Sequence, residues 1–151
     1  MREESDPFDL AGGGSAAADA GKTAPRLLVI DDDSLHRMVI CRAAAKAGYL
    51  PAGAAGYDEA VRLTRETVFD CITLDLGLGD HAGNEMLHHL AKIGCTAPII
   101  VVSGCDAVTC KEAARIAGSL KLDVWECISK PVDLAMLRSV LDRLRDRRLA
   151  A

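Results

Sequence analysis

The chain is 151 residues long, half of them apolar, 3% aromatic and 26% charged, with a formal net charge of -4. That length holds one domain with an aliphatic core, and the acidic balance excludes nucleic acid as the main partner, because phosphate backbones are bound by basic faces. No run approaches the ~20 apolar residues of a membrane span, and "MREESDPFDL" lacks the apolar stretch of a signal peptide, so a cytoplasmic protein is expected.

Residues 1–25 read as a flexible N-terminal tail, since "LAGGGSAAADAGKTAP" has few large apolar residues and no period. Its "GKT" at 21–23 is not a phosphate-binding loop. That motif needs Gly five positions before the Gly-Lys pair, where Ala16 stands, and a strand before it. From Arg26 the pattern becomes regular, and a single domain is expected over 26–149. "RLLVID" (26–31) is a short apolar run, hence a buried strand. Ser34 is placed to cap a helix through about Ala47, with Leu35, Met38 and Val39 on one face and Gly48 as its stop.

"LPAGAA" (50–55) is a weak strand whose Pro and Gly suit a sheet edge. "YDEAVRLTRETV" (57–68) reads as a helix with Ala60, Leu63 and Val68 inward, and "CITLDL" (71–76) as a second clear strand. After a Gly-rich loop, "NEMLHHLAKI" (84–93) is a helix ended by Gly94. "APIIVVS" (97–103) is a third clear strand, and "AVTCKEAARIAGSL" (107–120) a helix. "LDVWECIS" (122–129) is the last strand and "DLAMLRSVLDRLRDRRL" (133–149) the last helix, with Leu134, Leu137, Leu141 and Leu144 as its core stripe. Strict alternation of five strands and five helices predicts a doubly wound parallel α/β sheet, with ligands outside the carboxyl ends of the strands.

The residues predicted at those ends carry chemistry. The first strand ends in Asp31-Asp32, followed by Asp33, and Asp75 ends the third. Ser103-Gly104 close the fourth, and Lys130-Pro131 follow the fifth. Two carboxylates at about 4 Å and an effective dielectric of 20 repel by on the order of 4 kcal/mol, so such a cluster needs a cation or must take up protons. Lys130 supplies one charge; Mg²⁺ (or Mn²⁺), a hard dication served by few carboxylates plus water, would supply the rest. One carboxylate could then attack a phosphoryl group to form an acyl phosphate. Lys130, Ser103 and the metal would meet its oxygens, and Gly104 would leave room at the backbone.

Taken together and in order, "VIDDD", "LDLGLGDHAG", "VVSG" and "SKP" resemble a bacterial two-component response-regulator receiver domain of the stand-alone, CheY-like kind, over roughly 26–148. The resemblance implies the flavodoxin-like (βα)5 fold. It makes Asp75 the phosphoacceptor, fed by a histidine kinase or a histidine phosphotransfer protein. Asp32 would bind Mg²⁺ directly, Asp31 largely through water, with Asp75 and the backbone carbonyl of Gly77 completing the set. Ser103, Lys130 and the Gly104 backbone would contact the phosphoryl group, and Pro131 would follow a cis bond. It also implies a self-dephosphorylating phosphoprotein rather than a turnover enzyme.

Three features depart from the family pattern. Gly77 and Cys105 stand where polar side chains often sit, which predicts slow loss of the phosphoryl group. Cys127 replaces the aromatic residue whose rotation reports phosphorylation in many receivers; Trp125, read as alternating with Cys127 and Ser129 on one strand face, is a candidate substitute. Nothing follows the last helix, so no output domain is expected, and signalling would run through protein contacts at the last two helices and last strand, or by passing phosphate onward. The partner set is then the phosphodonor, a downstream protein and, as an option, a second copy in a homodimer; nucleic acid and membrane are not expected. "RLRDRRL" reads as a solvated helix end, and His88-His89 as solvated or half-buried rather than phosphoryl donors. His81, beside Asp75 in the chain, has no assigned role.

Two other readings use overlapping residues. A haloacid-dehalogenase-type phosphatase would take Asp31 as nucleophile with Asp33, Ser103 and Lys130, but it leaves Asp75 unexplained and lacks a later acidic strand end. A degenerate receiver acting only as a binding module would have no need of Asp31, Asp32, Asp75, Ser103 and Lys130 together. The six cysteines (41, 71, 95, 105, 110 and 127) show no zinc spacing. A chain with a sufficient core needs no disulfides, so reduced thiols packed as small hydrophobes are expected.

Overall fold

Short strands alternate with helices in the computed structural model, which describes residues 23–77, 82–104 and 107–150. The elements are β1 Arg26–Ile30, α1 Ser34–Lys46, β2 Leu50–Ala54, α2 Tyr57–Glu66, β3 Cys71–Asp75, α3 Ala82–Lys92, β4 Ile99–Ser103, α4 Ala107–Ser119, β5 Val124–Ser129 and α5 Leu134–Ala150. The strands form one parallel sheet in the order β2-β1-β3-β4-β5. β2, with Pro51 and Gly53, lies at an edge as expected. The predicted tail lies outside the described residues except for its last three; Pro25 already accepts a hydrogen bond from Leu50 N at 2.8 Å.

The central strands are continuous in apolar residues because both of their faces are covered. Leu28, Ile30, Ile72 and Leu74 join Ala60, Met86, Leu87, Leu90, Ala113 and Ala117 beneath α2, α3 and α4. Leu27, Val29, Cys71 and Ile100 join Ile40, Ala43, Ala44, Leu137, Val140 and Leu141 beneath α1 and α5.

Several details differ from the sequence expectation. Asp33, not Ser34, caps α1: its carboxylate accepts from Leu35 N at 3.0 Å and His36 N at 3.1 Å. The buried face of α1 is Ile40, Ala43 and Ala44, so the helix packs closely on small side chains while Leu35 and Met38 face out. Val68 lies beyond the end of α2 and is exposed, and Leu134 is exposed at the start of α5. The end of α5 is tied inward by Arg147–Asp123 at 3.7 Å and Arg148–Asp70 at 3.4 Å.

Trp125 and Cys127 do not share a face. Ile99 pairs with Val124 but Ile100 pairs with Glu126, so β5 carries one extra residue there. A bulge of this kind breaks the two-residue alternation. Trp125 packs on the α1/α5 side, with Arg143 and Arg147 guanidinium groups 5.9 and 5.1 Å from its ring centre, whereas Cys127 packs on the α4 side.

The cysteines also divide. Cys41, Cys71 and Cys95 are free thiols, as expected; burial pushes Cys41 up to about 11 and Cys71 up to about 12. Cys110 and Cys127 are instead joined in a disulfide, their Cα atoms 6.4 Å apart. The contact is non-local: the α4–β5 crossover brings the early part of the helix over the strand, which residue spacing cannot reveal. Cys105 and His81 lie outside the described residues.

His89 is buried on α3, and its neighbours settle its tautomer. Thr64 Oγ1 donates to Val61 O at 2.9 Å, so its lone pair accepts from His89 Nε2, also at 2.9 Å. Burial first, then the charges of Arg65 and Lys92, hold His89 below its ordinary pKa. The folded protein thus binds this proton less readily than the unfolded chain. The site is neutral to stability above the unfolded pKa of ~6.5 and destabilising as pH falls below it. Thermal melts between about pH 7 and 5 should therefore fall more steeply for wild type than for His89→Gln, whose amide can still donate to Thr64.

Candidate functional site

The parallel register decides which side chains meet. Ile30 pairs with Leu74, so the residues that follow, Asp31 and Asp75, stand side by side at the mouths of β1 and β3. The strand order turns around β1, and the crevice outside the carboxyl ends there is where open α/β sheets take ligands. Ser103 pairs with Ser129, and Lys130 N donates to Ser103 O at 2.9 Å, which fixes the base of Lys130 against the end of β4. The Lys130–Pro131 bond is cis.

Asp31 is 1% exposed, Asp75 3% and Ser103 0%, while Asp32 is exposed. Asp31, Asp32 and Asp75 each offer an oxygen within 4.8 Å of the others. Lys130 Nζ lies 2.9 Å from Asp75 Oδ2 and 3.6 Å from Asp31 Oδ2. The second oxygen of Asp75 accepts from Gly77 N at 2.9 Å. Asp33 takes no part in the cluster; its amide donates to Asp31 Oδ1 at 2.9 Å while its carboxylate caps α1.

Burial raises the Asp31 carboxyl, but the His36 hydrogen bond, the Asp33 amide and the positive charge of Lys130 outweigh it, and it ends below its ordinary value. Burial likewise lowers the Lys130 ammonium, yet its hydrogen bond to Asp75 and the charges of Asp75 and Asp31 leave it above its ordinary value. Both groups are thus held ionised. One ammonium against three carboxylates leaves an excess of negative charge, two of its members nearly dry, and all donors are hard oxygens. The residues fit Mg²⁺ or Mn²⁺.

Gly104 faces the stem of Lys130: a Cβ there would sit 3.9 Å from Lys130 Cδ, in ordinary contact. A Cβ at Gly77 would approach Asp75 Oδ1 to 3.3 Å. Sequence reasoning missed two neighbours. His36 Nδ1 hydrogen-bonds Asp31 Oδ2, and Arg37 Nη1 donates to the Asp31 carbonyl at 2.7 Å. The signal was available: with Asp33 as cap, the first turn of α1 starts beside Asp31 and turns residues 36 and 37 back toward it. A surface concavity among the described residues, lined by Tyr57, Arg62, Glu85, His88 and Lys92, contains none of these residues. His88 is exposed on its rim.

Comparison with known proteins points to one family. The family pattern described as "Response regulator receiver domain" matches residues 27–142. The chain is 33% identical to a protein-glutamate methylesterase/protein-glutamine glutaminase 2 of Koribacter versatilis, over 85% of this chain but only 35% of that protein. It is 29% identical to the chemotaxis protein CheY of Thermotoga maritima, over 79% of this chain and 96% of CheY. Among solved structures, the Francisella response regulator 1452 receiver domain shares the fold with a TM-score of 0.70 at 24% identity, over 82% and 98% of the two chains. A response regulator protein from Burkholderia pseudomallei with a phosphorylated aspartic acid, calcium ion and citrate reaches 0.66 at 26% identity, over 83% and 71%. The match runs from β1 into α5, through every strand end that contributes to the acidic cluster, and this chain belongs to the response-regulator receiver-domain family.

Proposed function

We propose that this domain accepts a phosphoryl group on Asp75 in a Mg²⁺-dependent reaction, from a phosphohistidine on a histidine kinase or histidine phosphotransfer protein. The observation that carries the reading is the 2.9 Å Lys130–Asp75 pair beside Asp31 and Asp32. In the transfer, a carboxylate oxygen of Asp75 bonds to phosphorus as the phosphorus–nitrogen bond to the donor imidazole breaks, leaving an acyl phosphate. Asp31, Asp32, Asp75 and the Gly77 carbonyl would hold the metal, which when bound neutralises charge on the phosphoryl oxygens. Lys130 exchanges its carboxylate partner for a phosphoryl oxygen. Ser103 and the Gly104 backbone lie at the same edge to receive another. The phosphorylated aspartic acid of the Burkholderia pseudomallei regulator supports the assignment by likeness.

The domain over 26–149 is on this reading a cytoplasmic phosphoprotein, not a turnover enzyme, signalling through α4, β5 and α5 to a protein target or passing the phosphoryl group on. Among the described residues no helix is long and apolar enough to cross a membrane. The phosphatase reading is weaker, because Asp33 is committed to capping α1. The test is incubation with acetyl phosphate and Mg²⁺, read by intact mass. One phosphoryl increment that chelation removes is expected; no increment with the metal present overturns the reading.

Gly77 gives a second expectation. It offers no side chain to position a hydrolytic water, so the acyl phosphate should be long-lived. Gly77→Asn should shorten its lifetime by about tenfold, the scale of a modest positioning effect. The decay of the isolated phosphoprotein measures it; equal lifetimes refute it.

A further inference from the structure

Cys110 and Cys127 join the two segments that bear the phosphoryl-side groups. α4 starts four residues after Ser103 and carries Cys110 near its N-terminus; Cys127 precedes Lys130 by three residues on β5. Further along, α4 is held to the core by Ala113 and Ala117, with Ile116 packed beside them. Ala113 and Ala117 are its buried residues, whereas Val108 is 72% exposed and Thr109 is exposed. The disulfide ties the beginning of this helix to β5. A domain with two aliphatic core layers does not need a bond closing so short a loop for its stability. Both cysteines are half-buried, within reach of small reagents, unlike the fully buried Cys71.

We propose that Cys110 and Cys127 form a reversible redox-modification site that governs how readily the acidic site is phosphorylated; the coupling rests on the phosphoacceptor reading above. The oxidant is of the low-molecular-weight disulfide class. A Cys110 thiolate attacks one of its sulfurs and expels one thiolate, giving a mixed disulfide. The Cys127 thiolate then attacks the Cys110 sulfur and expels the second. Two protein thiols become one disulfide, and their two protons pass to the two expelled thiolates, so the external disulfide ends as two thiols; a dithiol reverses the sequence.

With the bond formed, the start of α4 and the adjoining Ser103–Gly104 segment are held to β5 in the unphosphorylated arrangement. Reduction frees that segment to follow Ser103 toward a phosphoryl group. Linkage makes the effect reciprocal: whatever factor the disulfide costs phosphorylation, phosphorylation costs disulfide formation.

The experiment uses the full chain, equilibrated in glutathione buffers of graded oxidised-to-reduced ratio and scored by alkylation and peptide mass. Each sample then receives acetyl phosphate and Mg²⁺. The expected result is a Cys110–Cys127 bond that forms and breaks across the series, with at least about fivefold more phosphoryl incorporation in the reduced protein. Beryllofluoride with Mg²⁺ should shift the disulfide equilibrium toward thiols. Cys110→Ser, and independently Cys127→Ser, should incorporate phosphate at the reduced level in every buffer. Equal incorporation in the two redox states, or no change of bond across the series, overturns the proposal. Failure of the reduced protein to incorporate any phosphate overturns the phosphoacceptor reading itself, and this coupling with it.

Discussion

Replacing Asp75 by Asn should reduce phosphoryl incorporation to background, a loss of at least about a thousandfold, on the scale seen when a nucleophile is removed from its site. The amide keeps the shape of the carboxylate, and its oxygen can still accept from Lys130 or from the Gly77 amide. What it lacks is the charged oxygen that forms the bond to phosphorus. The same change should stabilise the metal-free fold. Asp31 and Asp75 are both nearly dry, and at about 4 Å with an effective dielectric of 20 a like-charge pair costs on the order of 4 kcal/mol, part of which Lys130 already offsets. Melting in chelator should therefore occur at a higher temperature for Asp75→Asn than for wild type, and Mg²⁺ should stabilise the variant less. Asp31→Asn separates the readings: retention of measurable labelling with Asp31→Asn and none with Asp75→Asn supports Asp75 as acceptor. Labelling lost only with Asp31→Asn would support the phosphatase chemistry instead.

Lys130→Met should split transfer from metal binding. The variant keeps the aliphatic stem that lies against Gly104 but removes the ammonium 2.9 Å from Asp75. Loss of one donor to the charge developing in a transfer reaction typically costs on the order of a hundredfold to a thousandfold in rate, and that reduction in acyl-phosphate formation is expected at saturating Mg²⁺. Metal affinity should move the other way, tightening by about tenfold, because a cation competing for Asp31 and Asp75 has gone. Titration calorimetry and the saturated rate measure the two effects separately. A variant that loses both equally would show Lys130 to be a structural brace rather than a participant.

The architecture was legible because hydrophobic periodicity is local. "RLLVI", "CITLD" and "IIVVS" are mainly apolar runs ending at polar residues, the composition of strands buried on both faces. Strict alternation with helices then forces parallel strands and gathers every strand end at one edge, which is why the sequence alone groups Asp31, Asp32, Asp75, Ser103 and Lys130. The same logic failed for helix faces and for β5. The predicted stripe of Leu35 and Met38 on α1 lies outward because the alanines allow the closer approach to the sheet. The bulge beside Trp125 depends on how β5 meets β4, which no pattern within β5 encodes.

By itself, then, the sequence determined the class of fold, the order of its elements and the edge at which its charged residues collect, since each follows from short-range pattern and chain connectivity. Only the tertiary structure decided which groups touch. Lys130 lies nearer Asp75 than Asp31, Trp125 and Cys127 turn to opposite faces, and Cys110 bonds to Cys127. The physical reason is that these contacts depend on the packing of one element against another to within an ångström, and that distance is a property of the assembled core rather than of any stretch of chain.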